Sequence, residues 1–178
     1  MPASLETSRL DTFLVSPDIE ESPAWEFINE QAYQKPMPTL FHSRLQRNLV
    51  NQINRQNSPY EAIQELRCVV PPFSPVLDVS VIAIARLPDT DGPFQGAPDW
   101  LIEIRSPDQS TVKLQEKILH CIGHGTQLAW LIDLQRQQIW VWQGQELPLI
   151  YANDEKLPIL DGLSSLTANE VLALTTQR

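Results

Sequence analysis

The run Val76–Arg86, VLDVSVIAIAR, constrains the fold more than any other stretch of the chain. It has strand length, is almost wholly apolar and lies between Pro75 and Pro88, so the strand it forms must be covered on both faces. The neighbouring patterns supply the covering layers. Leu40–Gln56 places Phe41, Leu45, Leu49 and Ile53 four residues apart on one face, with Thr39 as N-cap, which predicts a helix. Ser106 and Pro107 give an N-cap and a first-turn proline for a second helix running to about His124. Its buried face is Val112 or Leu114, then Ile118, then Cys121 and Ile122. Glu61–Val70 and Trp100–Arg105 read as strands, and Leu128–Leu134 with Gln138–Trp142 as a hairpin. Trp25–Tyr33 could add a strand before the breaker QKPMP, and Thr167 with Glu170 forms a capping box for a short terminal helix. The order helix, three strands, helix, strand predicts an α/β fold: a mixed central sheet flanked by helices, with extra N-terminal strands and a C-terminal hairpin.

The length of 178 residues suits one domain, expected over residues 25–178 behind an acidic, loosely ordered lead-in at 1–24. Apolar runs stay far below the roughly 20 residues of a membrane helix. The N-terminus lacks the basic and apolar regions of a secretory signal. Two cysteines, Cys68 and Cys121, make neither a disulfide framework nor a zinc ligand set, so a reducing cytoplasm is the expected location. The net charge of −9 argues at first against nucleic acid. Yet Glu6, Asp11, Asp18, Glu20, Glu21, Glu26 and Glu30 against Arg9 put −6 of it in residues 1–34. Lys35, Arg44, Arg47, Arg55 and Arg67 outnumber Glu61 and Glu65 in the segment that follows, which leaves room for a basic face.

Two residues stand out chemically. Asp78 and Glu103 are carboxylates inside apolar strands, where a lone charge needs a partner or a metal. Strands close in sequence tend to lie side by side, so the two can converge. Together with the Ile104 carbonyl they would offer the oxygen ligands that Mg²⁺ prefers. Arg105 falls on the Glu103 side of its strand by alternation, and Lys113 and Lys117 share one face of the next helix. A lysine there could orient a metal-bound water. The bland alternative is a pair of solvent-facing strand ends and a solvated helix face.

At these residues the chain resembles the PD-(D/E)XK nuclease superfamily and, within it, the bacterial Uma-type restriction endonucleases. The resemblance rests on WEFINEQAYQKPMP, His42-Ser43, ELRC at 65–68, PDWLIEIRSPDQS at 98–110 and ILHCIGHGTQLAWLID at 118–133. It implies a restriction-endonuclease-like αβββαβ core and Mg²⁺- or Mn²⁺-dependent hydrolysis of DNA phosphodiester bonds. It places the metal-binding acids at Asp78 and Glu103 and the catalytic lysine at Lys117, with Lys113 one turn earlier. Three positions depart from the pattern: Leu77 where proline is usual, Arg105 at the superfamily lysine, and Lys113 where an Asp is common. Arginine does not deprotonate and cannot serve as a base. These departures keep open a weak or inactive nuclease fold acting as a binding or regulatory module.

Other constellations are weaker. His120 and His124 have metal-chelating spacing, but Cys121 stands where a zinc protease needs its glutamate. His42 could approach the metal pocket or a phosphate. Cys68 and Cys121 lack a positioned base for nucleophilic work. Trp130, Trp140 and Trp142 suit core packing, or else an aromatic face for a homodimer or another protein partner.

Overall fold

The apolar runs without helical spacing assemble into one mixed sheet. The computed structural model describes residues 8–144 and 147–178. Its elements are helix α1 (Arg9–Leu14), strands β1 (Trp25–Ile28) and β2 (Gln31–Gln34), helix α2 (Leu40–Asn54), strands β3 (Tyr60–Val69), β4 (Val76–Ala83), β5 (Phe94–Gln95) and β6 (Trp100–Ile104), helix α3 (Thr111–Ile122), strands β7 (Leu128–Asp133), β8 (Gln138–Trp142) and β9 (Leu149–Tyr151), and helix α4 (Ala168–Ala173). Seven strands lie in the order β5-β3-β4-β6-β7-β8-β9, and β1 and β2 form a separate hairpin. β6 pairs parallel to β7 through the α3 crossover, and β5 pairs parallel to β3, while the remaining pairs are antiparallel. The elements α2, β3, β4, β6, α3 and β7 are the αβββαβ core expected from the sequence. Among the described residues no helix is long and apolar enough to cross a membrane.

Each face of the sheet is covered by one of the amphipathic helices. Leu45, Leu49 and Ile53 of α2 pack with Val79, Val81, Trp100, Ile102 and Trp130. Leu114, Ile118 and Cys121 of α3 pack with Cys68, Leu77, Leu101, Leu131 and Trp142 on the other side. Val79 and Leu77 are two apart and in a regular strand would share a face; here they belong to opposite layers. The partner strand switches too, with Ala62 in the α2 layer and Cys68 in the α3 layer. The switch falls where Glu65 faces Asp78. Glu65 adopts φ 52, and the ladder skips this pair between Gln64↔Val79 and Leu66↔Leu77. A left-handed glutamate is a local strain of the kind that re-aims side chains, and it stands beside the strand acid.

Several expectations need correction. Ser106 and Pro107 do not start the helix; α3 begins at Thr111 after N-cap Ser110, and residues 106–109 make a turn closed by Gln109 N donating to Ser106 O at 3.0 Å. The Trp25–Tyr33 segment is a hairpin rather than one strand, because Asn29 and Glu30 both take positive φ as a tight two-residue turn requires. Within the lead-in, residues 8–24 are not loose. Ser8 and Asp11 form a capping box on α1, and Leu10, Phe13 and Ile19 pack on Phe27 and Val69. Buried Arg67 ties this layer down by donating to Glu20 Oε1, Ile19 O and Trp25 O. Trp130 and Trp142 are fully buried and serve the core, while Trp140 is half-buried at its edge.

Candidate metal and catalytic site

Asp78 and Glu103 are brought together at the carboxyl end of β6. The β4–β6 ladder ends at Val79↔Ile102, so the backbone groups of Ile104 face a gap between the strands. Into that gap Asp78 sends Oδ2, which accepts from Ile104 N at 2.7 Å. The Ile104 carbonyl lies on the same strand edge as its amide. With no backbone partner at Glu65, the Asp78 carbonyl accepts instead from Gln46 Nε2 of α2 at 2.7 Å. The same amide donates to Glu65 Oε1 at 2.7 Å. Gln46 therefore holds both sides of the interrupted ladder.

Lys117 approaches from α3 on the opposite flank. Its Nζ lies 2.8 Å from Glu26 Oε1 and 2.9 Å from Glu103 Oε1. Glu26 Oε1 also accepts from Val76 N at 2.9 Å, which fixes the hairpin acid against β4. The Glu103 contact is an ion pair without hydrogen-bond geometry, and Glu103 Oε1 has no hydrogen-bond partner despite full burial. Lys113 is not part of this cluster; its ammonium lies over the Tyr33 ring at 3.9 Å. Arg105 does not follow Glu103 either. It lies past the end of β6, where alternation no longer governs it, and pairs with Asp133 at 3.0 Å.

Three functional neighbours escaped the sequence reading. Lys35, one residue past β2, places Nζ 2.9 Å from Asp78 Oδ1 and 2.8 Å from Glu65 Oε2. Glu26 enters the sequence reading only as one of the seven acids of residues 1–34. Glu65 lies in the ELRC stretch of a predicted strand, where nothing in the sequence assigns it to the site. His42, singled out in sequence, does arrive, with Nε2 3.5 Å from Asp78 Oδ1. The cluster opens into a cavity of about 280 Å³ lined by Lys35, His42, Glu65, Asp78, Glu103 and Ser106, with Glu20 and Glu21 at its rim.

The electrostatics divide the two central acids. Burial pushes both carboxyls up. At Asp78 the Lys35 ammonium and His42 outweigh burial and hold the group well below the usual carboxylate range. At Glu103 burial wins over Lys117, with the Asp78 charge adding to it, and the carboxyl is pushed up to about 8. Lys35 and Lys117 are held above their ordinary value, the surrounding carboxylates outweighing burial in each case.

These donors fit a hard divalent cation. Glu103 offers a buried oxygen with no hydrogen-bond partner. His42, Glu65 and Asp78 each present one ligand atom, all within 4.8 Å of one another, although Lys35 Nζ already lies against the Glu65 and Asp78 carboxylates. Carboxylate and carbonyl oxygens are the ligands Mg²⁺ and Mn²⁺ take.

The other sequence candidates have structural roles. His120 Nε2 is 2.7 Å from Val70 O, its ring stacks on Phe73, and burial lowers its pKa. His124 Nδ1 lies 2.7 Å from His120 O. Cys68 and Cys121 are free and buried, and burial pushes the Cys68 thiol up to about 12, unsuited to nucleophilic work.

Comparison with known proteins places this geometry. Residues 10–175 match the family model Uma2, described as "putative restriction endonuclease". A crystal structure described as a "putative nuclease belonging to DUF820" from Anabaena variabilis is similar, at 37% identity and a TM-score of 0.86, over 93% of this chain and 98% of that one. No curated protein matches.

Proposed function

The chain belongs to the Uma2 family of restriction-endonuclease-like proteins, and on that premise we propose that it is a divalent-metal-dependent nuclease that hydrolyses DNA phosphodiester bonds. The observation that carries this reading is the convergence of Asp78, Glu103 and Lys117 from β4, β6 and α3 on one buried cluster opening to a cavity. Asp78, Glu103 and the Ile104 carbonyl would hold Mg²⁺ or Mn²⁺. When bound, such an ion lowers the pKa of a coordinated water and offsets charge on the phosphate.

The chain's own residues do the rest. Lys117, pinned between Glu26 and Glu103, is a donor-only ammonium at a fixed point. It orients a water or a phosphate oxygen rather than removing a proton. Glu26 acts through Lys117 and holds its amine at Glu103. Arg105 weighed for an inactive module when it stood for the missing lysine. Its pairing with Asp133 gives it another task, and Lys117 supplies the amine.

Glu20 and Glu21 at the rim repel phosphate, so binding to duplex DNA is expected to be weak and salt-sensitive without a divalent ion. A homodimer would suit the cutting of both strands. Plasmid nicking in Mg²⁺ and in Mn²⁺ tests the reading. Asp78→Asn and Glu103→Gln are expected to abolish cleavage while wild type retains it. Cleavage by both variants at the wild-type rate would sink the assignment.

A further inference from the structure

We propose that the Lys35 ammonium is a built-in second cation, so that the site takes one divalent ion and not two. This rests on the metal-dependent reading above and deepens it. The first support is position. Lys35 Nζ bridges Glu65 Oε2 at 2.8 Å and Asp78 Oδ1 at 2.9 Å, with only 8% of its side chain exposed. These oxygens, together with His42 Nε2 at 3.5 Å from Asp78 Oδ1, are the donors an ion would use on this side of Asp78. The ammonium already occupies the place such an ion would take.

The second support is charge. The cluster contains Glu26, Glu65, Asp78 and Glu103 against Lys35 and Lys117. Once a metal at Glu103 has displaced its proton, the six groups sum to −2, from four acids and two amines, which one divalent ion neutralises. A second divalent ion beside both ammoniums would leave +2 in a buried cluster, where an uncompensated charge is strongly unfavourable. Exchanging Lys35 for a neutral side chain brings the cluster to −3 and frees the Glu65–Asp78 donors.

The third support is that Lys35 is held there by the fold. Its backbone N–H donates to Ala24 O at 2.9 Å, extending the β1–β2 hairpin by one step. Pro36 and Pro38 stiffen the chain directly after it. The side chain therefore enters the cluster from a fixed root and engages Asp78, whereas Lys117 engages Glu103, and the divalent site lies on the Glu103 and Ile104 side of Asp78. Lys35 is a positioning residue for Asp78, and it presents a second positive charge to a phosphate in the cavity.

Mn²⁺ titration of the metal-free protein by calorimetry, with bound ions counted by electron paramagnetic resonance, tests the proposal without reference to activity. Wild type and Lys35→Arg are expected to bind one Mn²⁺ per chain. Lys35→Met, of similar length but neutral, is expected to bind two. A count of two for wild type overturns the proposal with no variant needed, and so does a count of one for folded Lys35→Met. Should Lys35→Met unfold without metal, its recovery at millimolar Mn²⁺ with two ions bound supports the proposal; failure to recover, or recovery with one ion, overturns it. No Mn²⁺ on wild type overturns the parent reading instead, which separates the two failures.

Discussion

Asp78 and Glu103 occupy matching situations in sequence and opposite ones in the fold. Each is an acid in an apolar strand, and each is buried almost completely. Asp78 has both oxygens engaged, by Lys35 Nζ and by Ile104 N. Glu103 has an ion-pair contact to Lys117 but an oxygen with no hydrogen-bond partner. The first is held ionised and the second is pushed up to about 8. Burial alone therefore does not set the state of a strand acid. The number of donors aimed at its oxygens does, since each donor favours the charged form and desolvation opposes it. Asp78 is a finished anion that organises the cluster, whereas Glu103 is a group whose charge waits for a cation.

The largest test of this contrast is stability. Asp78→Ala would take from the Lys35 ammonium its buried partner, leaving it only the half-exposed Glu65, and would leave the Ile104 amide unpaired in the interior. Breaking a buried pair from one side costs roughly 3–5 kcal/mol. Glu103→Gln replaces a largely protonated acid by a neutral isostere, and should change the metal-free stability by no more than about 1 kcal/mol. Urea denaturation of the two variants without divalent ions measures both. Equal losses would erase the distinction between the two acids.

The sequence made half of this contrast visible. The strand acids and the helices around them announce themselves through periodicity: Thr39 does cap α2, accepting from His42 N, and β8 spans Gln138–Trp142 as read. The donors that tell the acids apart did not announce themselves. Lys35 lies in a proline-rich breaker and looks like any loop cation; its entry into the cluster depends on how the β1–β2 hairpin docks. Glu65 turns to the site where β3 switches layers at a left-handed residue, an event that strand alternation cannot foretell, and Gln46 of α2 finds its two acceptors at that break. Glu26 offered a faint signal, as an acid between Trp25 and Phe27, but alternation would send it to solvent. Ser106-Pro107 misled because a good capping pair can equally open a turn. Lys113 and Lys117 share a face in sequence, yet only the second, deeper in the helix, is buried.

A second test sharpens the contrast through pH. If Glu103 must lose its proton to hold a metal, Mn²⁺ affinity should rise with pH until about 8 and then level off. One competing proton gives at most about tenfold per pH unit, or about 1.4 kcal/mol. The metal-free protein should show the reverse trend. A carboxyl whose folded value lies above its ordinary 4.5 binds its proton more tightly when folded. Its contribution is therefore full below pH 4.5 and lost as pH rises towards 8. Asp78, with a lowered value, contributes in full above its ordinary 3.8 and loses that contribution only as pH drops below it. Calorimetric Mn²⁺ titrations and urea midpoints from pH 5 to 9 should carry both slopes in wild type, and Glu103→Gln should flatten both. Slopes unchanged in that variant would assign the proton to another group.

The smallest expected effect separates the two lysines of α3, and with them the two flanks of Glu103. Lys117 is buried against Glu26 and Glu103, so Lys117→Ala leaves carboxylates unpaired and should abolish cleavage along with part of the stability. Lys113 contacts the Tyr33 ring from a helix face outside the cluster. An exposed cation–π contact is worth about 0.5–1 kcal/mol, so Lys113→Ala should shift stability by no more than that. It should also leave the Mn²⁺ count and the pH slopes untouched. Nicking activity within about twofold of wild type would agree with placing it outside the site, since twofold corresponds to only about 0.4 kcal/mol at the transition state. A loss comparable to that of Lys117→Ala would show that substrate draws Lys113 into the chemistry. The contrast between Asp78 and Glu103 would then have to include a donor from beside Tyr33.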